Sequence, residues 1–460
     1  MGKTAVNNGM VISALKRNMT GGLFPPERQL IPNLSDIYEL ELAFYENLLL
    51  TDEELVRNAA YFSVVGGEYT RHFLMCTGRS LKLPHDSSSR LKSFFEKNIF
   101  RTGYATHGLF PYRGKFHPQM IKGLINVMGL KPGETVLDPM MGSGTVPVEA
   151  SLMGIKSIGI DASPFCRFMT QTKLDTLTMS LDRARGALTH CEEVFEYFRK
   201  RVGQTQQGSK TGKVKAAEAF MSVMEEAAGY AGEKDRRPLP DKGRDTSNTY
   251  HFLLLAYLDS AGYAERSVKK SPLDQFRAIL ERYLFVAEKI QNVLSDLAVE
   301  PAPAEILEGD VRALSLNDQS VDGILFSPPY SFAIDYLAND AFHLNFMGVD
   351  VEALRERMVG LRGRSLFEKY QRYREDMGKI LSECARVLRQ GRLCTIIVGT
   401  NSNQLSKVLG VSPEEVMGLH EILIDIGAGF GFKPIRMMSR PIIGISNTLR
   451  REYILILQKQ

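Results

Sequence analysis

The stretch Val136-Leu137-Asp138-Pro139-Met140-Met141-Gly142-Ser143-Gly144-Thr145 decides how this chain is read. An apolar run ends in a carboxylate, turns through two glycines and continues into a helical pattern carrying Val148 and Leu152. Glycine takes positive φ and lets the backbone approach a ligand with no Cβ in the way. The spacing is not G-x-G-x-x-G and no lysine follows, so neither a dinucleotide fingerprint nor a phosphate loop fits. Alone, such a turn is a weak signal. Its surroundings make it stronger.

Seven short apolar runs alternate with helical patterns: Glu134–Asp138, Ser157–Asp161, Glu305–Asp310, Asp322–Ser327, Arg392–Gly399, Lys433–Met438 and Tyr453–Leu457. That alternation predicts an α/β fold, a doubly wound, Rossmann-like seven-stranded sheet. Ligands of such sheets sit at the carboxyl ends of the strands. Four runs end at Asp138, Asp161, Asp310 and Ser327, which places those polar groups on one rim.

Asp161 follows the glycine turn by about twenty residues, where an acid accepts ribose hydroxyls. Asp310, after Gly309, is placed to accept from an adenine amino group. Each acid taken singly is equally well read as a helix cap or turn residue. Three acids on three successive strand ends describe a nucleoside cofactor that needs no phosphate clamp, and S-adenosylmethionine fits.

The fourth run ends Phe326-Ser327-Pro328-Pro329-Tyr330. Two prolines fix φ, hold the residues before them extended and carry no N–H. The segment offers carbonyl and hydroxyl acceptors with few competing donors, a match for an –NH2 group. Accepting both amine hydrogens favours the tetrahedral nitrogen of the transition state. Tyr330 supplies a flat face on which a base can stack. The other reading is an ordinary strand-end turn.

The rest of the composition narrows the function. With 460 residues, 44% hydrophobic and 24% charged, the chain is globular, long enough for about three folding units. Its net charge of +4 argues against nonspecific coating of nucleic acid but leaves room for a local basic face. No apolar stretch approaches the roughly 18 residues of a membrane span, and no leader or myristoylation pattern is expected. Five scattered cysteines with no C-x-x-C pair make a disulfide scaffold or zinc cluster improbable and fit a cytoplasmic protein; no metal site is expected. Gly203 to Thr211 (GQTQQGSKT) imitates a phosphate loop, but it has one residue too many and follows a helical pattern.

DPMMGSGT followed by SPPY resembles the amino-methyltransferases of DNA, whose tetrapeptide is D/N/S-P-P-Y/F/W, the serine form being most typical of the cytosine-N4 enzymes. His107-Gly-Leu-Phe-Pro-Tyr112-Arg-Gly-Lys115-Phe116 resembles the segment that covers the cofactor's methionine end in that family, and Ser327 to Tyr336 its extended catalytic motif. The resemblance covers about 105–175 and 303–458. It implies a helical N-terminal region at 1–104, core at 105–175 and 303–460, and a helical insertion at 176–302 that reads the target. The implied cofactor residues are Lys115, Phe116, Asp138, Pro139, Met140, Gly142, Ser143, Gly144, Thr145, Asp161, Ala162, Ser163, Asp310, Val311 and Ser327. The implied catalytic residues are Ser327, Pro328, Pro329 and Tyr330.

The function implied is transfer of a methyl group from S-adenosylmethionine to N4 of a cytosine flipped out of double-stranded DNA, with a separate restriction nuclease as a possible partner. None of the five cysteines follows a proline, so the nucleophile of the cytosine-C5 enzymes is missing. Adenine-N6 methylation shares every residue argued above. A tRNA guanine-N2 enzyme uses a similar turn but an acid or amide at Ser327, and a protein-glutamine enzyme wants Asn there. A catalytically silent nucleic-acid-binding fold is the alternative from another class.

For the nucleic acid, Arg199–Lys215 holds Arg199, Lys200, Arg201, Lys210, Lys213 and Lys215 with no acid, suited equally to phosphate contacts or to plain solvation. Arg362, Arg364, Lys369, Arg372 and Arg374 form a second basic group with the same two readings. Arg199–Lys215 and Glu233–Thr249 are both expected as loops on the insertion.

Overall fold

In the computed structural model, which describes residues 20–32, 34, 36–78, 103–112, 114–202, 242–264, 271–329, 335–413, 415–441 and 451–460, the apolar runs assemble into one sheet. A small antiparallel sheet precedes it, β1 Arg28–Leu30, β2 Phe62–Val65 and β3 Glu68–Tyr69 in that order. The large sheet contains β4 Thr135–Asp138, β5 Lys156–Asp161, β6 Ala304–Glu308, β7 Val321–Phe326, β8 Leu388–Gly399, β9 Phe432–Pro441 and β10 Arg451–Lys459. Its order is β6-β5-β4-β7-β8-β10-β9. β6 to β8 run parallel through β5, β4 and β7, and β10 lies antiparallel between β8 and β9. This is the expected Rossmann-like α/β sheet. β8 begins at Leu388, ahead of the expected Arg392, because its register with β7 shifts between Val321 and Gly323.

Alternation along the strands builds the core on both faces. Leu137, Ile324, Phe326, Ile396, Val398, Leu455 and Leu457 pack on one side with helices Leu366–Val387 and Leu419–Ala428. Val136, Leu325, Ile397, Ile454 and Ile456, one residue out of step, pack on the other. There they meet helices Pro118–Val127 and Thr145–Leu152 and, from the N-terminal region, Leu42, Leu55 and Phe62. The N-terminal residues thus form an outer layer of the same core. Helix Ile37–Leu49 and helix Asp52–Asn58 are joined by Thr51, whose hydroxyl accepts from Glu54 N while Glu54 accepts from Thr51 N.

The insertion between β5 and β6 is helical where it is described: Asp182–Thr189, Cys191–Val202, Lys242–Ala264 and Pro272–Asp296. Ser271 caps the last of these by accepting from Asp274 N at 3.1 Å. Residues 199–202, expected as loop, continue the Cys191–Val202 helix, and 242–249, also expected as loop, are the first turns of the Lys242–Ala264 helix. The polar composition of 242–249 hid that helix, which is carried by the buried run from Phe252 to Leu258. The phosphate-loop imitation at 203–211 lies outside the described residues.

One buried polar cluster joins these layers. Glu149, 0% exposed on the Thr145–Leu152 helix, pairs with Lys122 Nζ at 3.2 Å and His107 Nε2 at 2.6 Å, and accepts from Tyr104 Oη. Burial alone would push its carboxyl up, but the Lys122 charge and the bonds from His107 and Tyr104 outweigh it and hold the pKa at about 2. Burial keeps His107 neutral with a pKa of about 4, and His72, edge-on to Tyr104, at about 3.

Two outcomes follow. Glu149→Ala leaves Lys122 as a buried unmatched cation and should cost about 3–5 kcal/mol in a denaturant titration. The unfolded chain takes up histidine protons near pH 6.5 and the folded chain does not, so keeping His72 and His107 buried and neutral costs increasing stability as pH falls from about 6.5 toward 4. Glu46 and Glu452, raised by burial to about 7 and about 8, act in the opposite sense. The histidine term is therefore read as a difference: His72→Phe should gain stability relative to wild type as the pH is lowered.

Candidate cofactor and catalytic site

The site is assembled where β4 and its neighbours end. β4 pairs with β7 (Leu137 beside Ile324) and with β5 (Asp138 beside Gly159), and Asp161 lies beside Glu308 of β6. The glycine turn, Asp161, Asp310 and Ser327 therefore share the carboxyl rim of four adjacent strands. Sequence order alone separates Asp161 from Asp310 by the whole insertion; parallel pairing of β5 and β6 brings them together.

Each rim acid already has work within the protein. Asp138, 2% exposed, accepts Met140 N–H at 3.1 Å, and burial pushes its pKa well up. It shapes the turn from beneath. Asp161 is half-buried and accepts Gly142 N–H and Ser163 N–H, both at 2.9 Å; burial pushes its pKa up too. Asp310 is held by the guanidinium of Arg312, with Nε and Nη2 at 2.8 and 2.7 Å from its two oxygens. Burial raises the Asp310 pKa, but the Arg312 hydrogen bonds outweigh it and the net shift is downward. A carboxylate has about four acceptor positions. Asp161 thus retains acceptor capacity toward hydroxyl groups, whereas Asp310 also takes the Arg312 backbone N–H at 3.0 Å and a second contact from Nε at 3.1 Å, so a ligand donor there would share it with Arg312.

The two glycines of the turn have different reasons. Among the described residues Gly142 (φ +49°) has only the Tyr112 ring edge near its missing Cβ, at 3.7 Å, so among them this side of the turn admits close approach. Gly144 (φ +75°) caps the Thr145–Leu152 helix, and a Cβ there would lie 2.4 Å from Thr170 Cγ2. Its absence permits contact with helix Pro164–Asp175. Ser143, Thr145, Pro139, Ser163 and Val311 are buried, while Met140 and Ala162 are half-buried. A cradle that a Cβ would fill, beside acceptor-bearing strand ends, fits a nucleoside-type cofactor.

The segment expected over the methionine end lies beside this turn. Tyr112 reaches Gly142 and its Oη lies 3.5 Å from Cys166 Sγ. Lys115 Nζ donates to His107 O at 2.7 Å, and Phe116 packs on the core beneath. Phe110 N–H donates to Tyr283 Oη at 2.9 Å, and Tyr283 in turn donates to Asp259, which also pairs with Arg282 at 2.6 Å. The insertion thus anchors the cofactor-side segment.

Ser327 follows β7 half-buried, with its hydroxyl donating to Pro328 O at 3.3 Å; Pro328 is buried and Pro329 half-buried. Tyr330 lies outside the described residues. Of the basic candidates, Arg199 is exposed and pairs with Glu196 at 2.7 Å, Lys200 is exposed, and Arg201 ends a helix. Lys210, Lys213 and Lys215 lie outside the described residues. In the second group Arg362 pairs with buried Asp376, and Arg372 with Glu368 at 2.9 Å. Those two arginines are engaged internally.

Sequence reading missed Arg312 and Lys173. Arg312 stands two residues after Asp310, and a basic residue there was the available signal. Lys173 interrupts the buried stripe of its helix and donates to Ser143 O at 2.9 Å. No helix among the described residues is long and apolar enough to cross a membrane, and no group of three potential metal ligands occurs among them.

Comparison with known proteins agrees with this geometry. Residues 109–229 match the family described as UPF0020, RMKL-like, methyltransferase domain. The chain is 24% identical over 285 residues to the type II methyltransferase M.BsoBI of Geobacillus stearothermophilus, covering 54% of each chain. It is 46% identical over 68 residues to the type II methyltransferase M.MjaII of Methanocaldococcus jannaschii, 15% of this chain and 13% of that one. It is 38% identical over 52 residues to the tRNA (guanine(10)-N2)-dimethyltransferase of Methanothermobacter thermautotrophicus, 11% of this chain and 16% of that one. The match thus spans about half the length of the first relative and less of the others.

Gly144→Ala tests the turn: strain at positive φ and the Thr170 clash should cost about 1–3 kcal/mol in thermal unfolding and lower affinity for a cofactor analogue. The sheet and these matches together support a methyltransferase, for which S-adenosylmethionine is the expected cofactor.

Proposed function

We propose that the protein methylates N4 of cytosine in double-stranded DNA. The observation that carries this reading is the position of Ser327-Pro328-Pro329 at the end of β7, next to the glycine turn at the end of β4. Two further facts support it: the serine in the tetrapeptide, and two relatives that are type II methyltransferases.

Asp161 and Asp310 would hold the adenosine part of S-adenosylmethionine and the Gly142–Gly144 turn its amino-acid part. The cofactor supplies an electrophilic methyl group on a sulfonium. Ser327 gives its own proton to Pro328 O, which leaves Oγ as an acceptor for one amine hydrogen. A proline has no N–H to compete. Holding the amine hydrogens on these acceptors directs the nitrogen lone pair outward and favours the tetrahedral nitrogen that forms during attack. The target amine is paired inside a duplex, so the base has to be flipped out to reach this rim. The exposed Arg199–Lys200 end of helix Cys191–Val202 would supply a phosphate-positioning face, and a separate restriction nuclease is a partner compatible with this reading.

A second reading has one observation in its favour, the tRNA guanine-N2 relative. Labelled S-adenosylmethionine, duplex DNA and bulk tRNA, with nucleosides identified by mass spectrometry, separate the two. N4-methylcytosine in DNA is the expected product. N6-methyladenine would overturn the choice of base, methylated guanine in tRNA the choice of nucleic acid, and no label the enzymatic reading. In the active protein, Ser327→Ala should lower kcat by about 10²-fold with cofactor affinity nearly intact. Asp161→Ala should weaken cofactor binding by about tenfold or more in calorimetry, and equal loss in both variants would contradict this division of roles.

A further inference from the structure

Helix Leu366–Val387 buries Tyr370, Tyr373 and Met377 along one stripe. Leu366 continues that stripe one turn past the end of the core, with Phe367 beside it, and the two are 42% and 56% exposed. Single exposed apolar side chains are ordinary. These two carry information because of where they stand and what surrounds them.

Their place follows from the topology. The helix ends at Val387, where β8 begins, and β8 runs parallel to β7. The start of the helix therefore lies on the side of the carboxyl rim. Asp376, farther along the helix, pairs with Arg312, which clamps Asp310 on that rim. Burial first, and the phenol of Tyr336 second, push the Tyr373 pKa up, so the helix passes close to the end of the segment that begins at Ser327. From Asp376 back to Phe367 is about 14 Å along the axis, which carries the apolar pair outward past the acids of the rim.

This tip is firmly held. Ser365 Oγ accepts from Glu368 N at 3.1 Å, and the Glu368 carboxylate accepts from Arg364 N at 3.0 Å. Gly363 (φ +118°) packs so near that a Cβ there would lie 3.0 Å from Lys369 N. The charge around the tip is one-sided. Arg362 and Arg372 are paired with Asp376 and Glu368. Arg364, Lys369 and Arg374 have no carboxylate within ion-pair distance among the described residues, and Arg374 lies over the Tyr370 ring at 5.9 Å. Exposed Glu375 stands against these three cations, so the balance is positive.

Extruding a base leaves a gap in the stack. Apolar side chains such as Phe and Leu fill gaps of that kind, and basic residues hold the phosphates beside them. We propose that Leu366 and Phe367 are a wedge that enters the stack of double-stranded DNA beside the target base, with Arg364, Lys369 and Arg374 on the flanking phosphates. The proposal rests on the DNA reading given above.

The test uses the full chain and duplexes carrying the site at which mixed-sequence DNA becomes methylated. The target cytosine is either paired or faces an abasic position, where unpairing is already done and a wedge matters less. Phe367→Ala should lower kcat/KM on the paired duplex by about tenfold or more and stay within about twofold on the abasic one. Phe367→Leu, which keeps apolar bulk, should retain more of the paired-duplex activity, and should Phe367→Ala not fold, Phe367→Gln carries the same comparison. Lys369→Gln and Arg374→Gln should each reduce the slope of log affinity against log salt by about 0.9 on mixed-sequence duplex, and unchanged slopes would overturn the phosphate contacts. Equal loss on the two duplexes would overturn the wedge. So would unchanged activity of Phe367→Ala on the paired duplex, which would leave the tip to a protein partner. A wild-type protein that labels no DNA would instead remove the DNA reading, and the wedge with it.

Discussion

The rest of the structure depends on the buried carboxylate of Glu149. It sits one turn into the helix that leaves the glycine turn, and it is met by Lys122 from the helix before β4 and by His107 and Tyr104 from the segment beside the site. A carboxylate this deep is tolerable only if it is answered: Oε1 takes hydrogen bonds from His107 and Tyr104, and Oε2 faces the Lys122 charge. The answer comes from two other stretches of chain, so satisfying one acid fixes the position of both relative to the Thr145–Leu152 helix. The segment over the turn is held at its rear by this cluster and at its front by Phe110 N–H on Tyr283 of the insertion.

From that scaffold the chemistry follows by topology. Parallel strands present all their carboxyl ends on one side, and the order β6-β5-β4-β7 puts two acids, a glycine turn and a prolyl acceptor segment in a row. Within the fold the acids organise the rim itself. Asp161 ties Gly142 and Ser163 amides into the turn, and Arg312 clamps Asp310, so each acid is oriented before any ligand arrives. Arg312 also reaches buried Asp376 at 3.3 Å, which pairs with Arg362. The Asp310 end of the rim is thereby linked to helix Leu366–Val387.

Charge is distributed in the same economical way. Several arginines that look available in the sequence are paired with acids of the same chain: Arg199 with Glu196 and Arg372 with Glu368 at the surface, and Arg362 with buried Asp376. Exposed pairs of this kind are worth about 0–1 kcal/mol and exchange readily for phosphate. The pair with buried Asp376 does not exchange so cheaply, because it would leave that acid unanswered.

Local sequence determined the strands, the positive-φ turn and the helix caps, because period-two alternation, glycine at Gly142 and Gly144, and Ser271 before Pro272 each act over a few residues. It therefore showed the fold class and the rim residues Asp161, Asp310 and Ser327. It did not show β1 to β3, whose short strands carry too little pattern, nor the helix from Lys242, whose first turns are polar. Only tertiary structure decided that Arg312 clamps Asp310, that the N-terminal layer packs on the sheet, and that Lys173 lies beneath Ser143. Those are contacts between distant segments. Their energies come from burial and from unmatched charge, quantities that a residue acquires only when the chain has folded around it.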